Sequence, residues 1–155
     1  MNDDVVLSAH FNLREFVSSQ TAARLGREII PPPDVLANLH RLCQQLLEPI
    51  RVKLARPIII TSGYRPKWLN QAIGGSLTSA HMTGNAADVK VVGMSPWTFC
   101  RWVQQHAPGE GWPIDQCIQE FGQWTHLGTA LAPRGQYLTA KHVDGRTTYL
   151  QGIHQ

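Results

Sequence analysis

The chain has 155 residues, 43% hydrophobic and 16% charged, a balance that suits one ordered domain over residues 1–155 and excludes a disordered chain. Its formal charge of +3 gives a mild basic bias, but no Lys/Arg-rich run and no interleaving of basic and aromatic residues accompanies it, so a nucleic-acid-binding role lacks its footprint. No apolar stretch approaches the ~20 residues of a membrane span, and the opening MNDDVVLSAHFN has neither a basic n-region nor a long apolar h-region, so cytoplasmic synthesis without an export signal is expected.

In chain order, Asn12 followed by Glu15 reads as a capping box that starts a short helix. The run Pro31-Pro32-Pro33 interrupts regular structure. Asp34 then opens a long amphipathic helix whose apolar face is Val35, Leu36, Leu39, Leu42, Cys43, Leu46, Leu47, Ile50 and Leu54, with a bend expected at Pro49. Ile58 to Thr61 is β-branched in the manner of a buried strand. A short helix is expected from Pro66 at its first position to the Gly74-Gly75 stop, and a strand from Ala86 to Val92. Ser95 caps the next helix, which carries Phe99, Trp102 and Val103 and is expected to finish near Pro108. The last third reads as antiparallel sheet: Gln116 to Phe121, a turn at Gly122, Trp124 to Thr129, and two strands around Asp144-Gly145. Helices early and strands late imply an α+β domain. Cys43, Cys100 and Cys117 are odd in number and lack CxxC spacing, so they are expected as small buried apolar residues rather than a disulfide framework or zinc knuckle.

The chemistry concentrates in Ser79 to Val92. A catalytic zinc site takes three protein ligands from imidazole nitrogen and carboxylate oxygen. His81 and Asp88 stand seven residues apart around Gly84, which permits a positive-φ turn, with small residues after it that let the backbone fold back. Two readings stay open on spacing alone: a pair of metal ligands, or an aspartate capping a turn beside an exposed histidine. His10, His40, His106, His142 and His154 have no spacing that recruits them. Trp68, Trp97, Trp102 and Trp112 could line a groove, though helix packing is the stronger expectation for Trp68 and Trp102.

Three motifs in order, Ser62-Gly63-Tyr64-Arg65, then Ser79-x-His81-x-x-Gly84-x-Ala86-x-Asp88, then Trp124-x-His126, resemble the D-alanyl-D-alanine carboxypeptidase and dipeptidase family of zinc metallopeptidases. That family includes vancomycin-resistance dipeptidases and phage endolysins and shares its fold with the hedgehog signalling domain. The resemblance runs from FNLREFVSSQTA to the closing hairpin and is nearest to the short phage and prophage members. It implies an antiparallel sheet with flanking helices and one zinc ion on His81, Asp88 and His126. It also implies Arg65 as the stabiliser of a developing oxyanion, Ser79 as a substrate contact, and Tyr64 and Trp124 as walls of the site. Ser79 is equally explained as a turn cap.

The chain departs from the pattern at Gln123. Many relatives have a carboxylate three residues before the last histidine, and an amide cannot act as a general base. The nearest carboxylate is Glu120, the candidate base, with the orienting of a ligand histidine as its alternative use. The function implied by the resemblance is hydrolysis of a peptide bond in bacterial peptidoglycan by metal-activated water, with the protein acting as a monomer on a peptide partner and with no membrane or nucleic-acid partner. The alternative is a weak or inactive metal-stabilised module that binds cell wall or a partner.

Overall fold

The computed structural model describes residues 5–155; residues 1–4, the head of the segment read for an export signal, lie outside it. Two short strands open the chain, β1 (Val6–Ser8) and β2 (Phe11–Asn12), paired antiparallel. Neither was expected from the sequence, because two or three residues carry no periodicity. Helix α1 (Leu13–Phe16) follows with the Glu15 half of its capping box formed, the Asn12 N–H donating to Glu15 at 2.8 Å. Helix α2 (Gln20–Arg24) is capped by Ser19.

Helix α3 (Pro33–Leu42) buries Val35, Leu39 and Leu42, as its periodicity requires. Proline brings no N–H, and its ring crowds the carbonyl four residues back. The chain accommodates Pro49 by widening into a π segment at Cys43–Leu47 and resuming as α4 (Glu48–Leu54) with the proline in its first turn. The expected bend is thus an extra residue ahead of Pro49, and Cys43, Leu46, Leu47 and Ile50 stay on the buried face.

Strand β3 (Ile58–Ser62) leads through Gly63 to α5 (Lys67–Ala72), where Pro66 is the N-cap rather than the first helical residue. A 3-10 turn at Ala80–Thr83 precedes β4 (Ala86–Val91). Helix α6 runs over Pro96–Glu110, two residues past Pro108. That proline falls in the last turn, where the carbonyl it fails to serve belongs to exposed Gln104 and can turn to water; the helix ends instead at Gly111 with φ 70°.

Strands β5 (Gln116–Glu120), β6 (Trp124–Gly128), β7 (Gln136–Val143) and β8 (Arg146–Gln151) complete a six-stranded sheet in the order β3-β4-β6-β5-β7-β8. The α+β class holds. Every junction is antiparallel except β5 with β7, which pair parallel because β7 returns to the free side of β5 instead of extending the β5–β6 hairpin.

Alternation along the strands gives the sheet two different faces. One carries Ala87, Val89, Val91, Cys117 and Leu127 into the main core with α3 and α6. The other carries Asp88, His126, Ile118 and Glu120, with a small apolar cluster of Ile118, Leu138 and Ala140. Cys43, Cys100 and Cys117 are all free and buried, as expected. Burial pushes the Cys43 thiol up, and for Cys117 the neighbouring Cys100 thiol and then burial do the same.

Candidate metal centre

Asp88 on β4 and His126 on β6 are direct partners in the sheet register, so both side chains leave the same face at the same level. His81 reaches them from the 3-10 turn. Gly84 makes that return possible: its φ is 77°, and a Cβ there would lie 2.9 Å from the Val35 carbonyl oxygen of α3. The turn is braced from the same helix. Asn38 donates to the Thr83 carbonyl at 2.8 Å and Arg41 to Asn85 Oδ1 at 2.6 Å.

The result is a closed triangle. His81 Nε2 lies 3.2 Å from Asp88 Oδ1, His126 Nδ1 lies 3.2 Å from His81 Nε2, and His126 Nδ1 lies 3.3 Å from Asp88 Oδ1. The three side chains are 2%, 11% and 9% exposed in the order His81, Asp88, His126. They are a group whose ligand atoms could hold one metal ion.

The donor chemistry fits such an ion. His81 Nδ1 is 2.8 Å from the Gly63 carbonyl, which can only accept, so this nitrogen carries the proton and a neutral His81 turns a bare Nε2 toward the site. A lone pair facing a carboxylate needs a cation between them or a proton on the ring. Bonds of ~2.0–2.1 Å at tetrahedral angles set ligand atoms about 3.3 Å apart. The triangle already has that size. Burial raises the Asp88 carboxyl, but the two imidazoles outweigh it and hold the group below the ordinary carboxylate range.

Glu120 leaves the same face one residue pair further along, and its Oε1 is 3.8 Å from His126 Nδ1. Burial, reinforced by the charge of Asp88 and opposed by His126 and Arg65, pushes Glu120 up to about 7. Arg65 follows β3, and its backbone N–H donates to the His81 carbonyl at 3.0 Å. Burial pulls its guanidinium down against the opposing charges of Asp88 and Glu120, and its Nε is buried without a hydrogen-bond partner.

A match to the peptidase M15 family covers residues 9–128, well over half of the sequence. The chain belongs to the peptidase M15 family. No curated protein matches it. As an M15 peptidase it acts on a peptide substrate, the family is zinc-dependent, and its mixed α+β fold agrees with that membership. Among the described residues of this M15 chain no helix is long and apolar enough to cross a membrane.

The remaining residues singled out from the sequence fall at different distances from the triangle. Ser79 caps the 3-10 turn, accepting from the His81 N–H at 3.2 Å. Trp124 is the register partner of Glu120 on the site face, and its Nε1 is buried without a partner. Tyr64 turns into the main core, where burial and then the charge of Asp34 raise its hydroxyl. Gln123 is exposed in the β5–β6 turn, lining a cleft with Val89, Phe99 and Thr125 from the opposite face of the sheet. Trp68, Trp97 and Trp102 pack against the core and Trp112 is buried in it. Two supports were not anticipated: the Gly63 carbonyl that orients His81, and the Arg41–Asn85 brace. Gly63 did carry a signal, standing inside the SGYR motif.

Proposed function

We propose that this protein, acting as a single domain over residues 1–155 and as a monomer, is a zinc peptidase that hydrolyses a peptide bond in bacterial peptidoglycan, as a carboxypeptidase or endopeptidase. The observation that carries the reading is the buried His81-Asp88-His126 triangle with the Glu120 carboxylate 3.8 Å from one of its corners. His81 Nε2, Asp88 Oδ1 and His126 Nδ1 would hold the ion. When bound, zinc supplies Lewis acidity, which makes water a nucleophile near neutral pH.

Glu120 takes the proton from the attacking water at its carboxylate and delivers it to the leaving amine as the C–N bond breaks. Its elevated pKa suits a group that must both accept and donate near neutrality. Arg65, with an unpaired buried Nε, offers its guanidinium to the oxyanion that develops on the scissile carbonyl. Trp124 walls the site from β6, Ser79 holds the ligand turn at its edge, and Tyr64 supports Arg65 from the core side. The exposed position of Gln123 removes it from the proton path and leaves that work to Glu120. The likeness to short phage and prophage members suggests a lysis setting, in which the protein meets the cell wall after release.

Zinc-loaded protein incubated with purified peptidoglycan should generate new amino termini, and His81→Ala should not. Cleavage that survives in His81→Ala would sink the reading. Metal binding with no cleavage by the wild type would instead favour the metal-stabilised binding module.

A further inference from the structure

The family match ends at residue 128, yet the sheet that carries the metal triangle goes on for two more strands. The register across it sets Trp124 on β6 beside Glu120 on β5, Glu120 beside Ala140 on β7, and Ala140 beside Tyr149 on β8. Directly paired residues share a face, so these four side chains form one row, with an aromatic ring at each end and the candidate base between them. Ala140 contributes only a methyl group and Phe121 packs against its cluster, so within the paired row itself no long β7 side chain stands between Tyr149 and Glu120. Burial first, then the charges of Glu120 and Asp88, raise the Tyr149 hydroxyl. Even so, Tyr149 is 55% exposed, open to a ligand on this face.

The two flanks match in chemistry. Arg65 Nε and Trp124 Nε1 are buried N–H donors without acceptors on the β3–β6 side, and Tyr149 supplies an O–H on the β8 side. An occupant must therefore present acceptor oxygens to both flanks. The carboxylates of Asp88 and Glu120 between them oppose a second anion next to Tyr149, which selects a neutral carbonyl oxygen over a carboxylate.

We propose that Tyr149 is a substrate-binding residue, its hydroxyl donating a hydrogen bond to a backbone carbonyl of the bound peptide on the β8 side of the scissile bond. The proposal rests on the peptidase reading above and deepens it: the β7–β8 hairpin, outside the family-matched region, lengthens the groove by two strands and selects peptides that continue across them.

The test uses full-length, metal-loaded protein and a soluble peptidoglycan fragment carrying its complete stem peptide. Binding is titrated calorimetrically into Glu120→Gln and into Glu120→Gln/Tyr149→Phe, while hydrolysis is followed in wild type and Tyr149→Phe. Loss of one neutral hydrogen bond weakens binding about three- to tenfold. The double variant should bind that much more weakly, Tyr149→Phe should raise KM by a similar factor with kcat nearly unchanged, and zinc affinity by chelator competition should not move. Equal binding and equal KM with and without the hydroxyl would overturn the proposal while leaving the peptidase reading intact. Weaker fragment binding by the double variant, together with a wild type that cleaves nothing, would overturn the peptidase reading and uphold Tyr149 as a ligand contact. Failure of the fragment to bind either protein would overturn both.

Discussion

Among the described residues, two histidine–carboxylate clusters differ in almost every respect. At His10 and Glu48 the carboxylate is fully used: Ser8 Oγ donates at 2.7 Å, the His10 backbone N–H at 2.7 Å, and the His10 ring lies against the second oxygen. The His10 side chain is 44% exposed, so water completes what the protein does not. At His81, Asp88 and His126 two ring nitrogens crowd one carboxylate oxygen and each other at 3.2–3.3 Å, and His126 Nε2 is buried without a partner. The first cluster is a finished clamp between the start of the chain and α4. The second is a buried group that could hold a metal ion, and that difference separates it from the structural ion pair at His10 and Glu48.

The sharpest break of the comparison comes from Asp88→Asn. It should abolish zinc retention and cleavage together, because an amide neither neutralises the ion nor replaces the anionic ligand. Wild-type protein should gain about 2.7 kcal/mol of stability at zinc a hundredfold above Kd, read as a rise in Tm, and the variant should gain none.

Glu120→Gln comes next. It should lower kcat by ~10²–10⁴ with zinc binding retained, the loss expected for a general acid–base, and a retained kcat would assign the carboxylate to orienting His126. In the ligand turn, Gly84→Ala forces a Cβ against the Val35 carbonyl at positive φ and should cost about 1–3 kcal/mol in denaturant unfolding, weakening zinc binding without touching a ligand.

The smallest effect belongs to the clamp. Burial raises Glu48, but its bonds from Ser8 and His10 outweigh that and leave it lowered. A lowered carboxyl gives stability that is present above the unfolded value and fades as pH falls through about 4. Glu48→Gln should cost about 1 kcal/mol at pH 7, discounted for the exposure of His10, and should flatten that acid limb while zinc binding stays as in wild type.

The closeness of His81 and Asp88 was legible because it dictates local sequence: a turn that brings His81 back to Asp88 needs Gly84, and small residues after it. The long apolar face from Val35 to Ile50 was legible for a similar reason, since helical periodicity survives a π segment that shifts it by one residue. What could not be read arises between distant segments. The parallel pairing of β5 with β7 depends on where a connection returns, and no residue in either strand announces it. Tyr64 sits in a motif beside Arg65 yet turns to the core, because its direction follows from where the chain is tied after the strand, its backbone N–H donating to the Phe16 carbonyl. Tyr149 reads as an ordinary edge-strand aromatic until the register sets it in line with Glu120.

Gly63 links the front of the chain to the site. A Cβ there would lie 2.5 Å from Phe16 Cα, the next residue's N–H donates to the Phe16 carbonyl at 2.8 Å, and the Gly63 carbonyl fixes the His81 ring. A four-residue helix thus acts as the backstop of the His81 imidazole. Residues some sixty-five positions before His81 in sequence stand directly behind it in space, so a fusion, a protease nick or a binding partner at α1 would reach the His81 ring from behind, through Gly63.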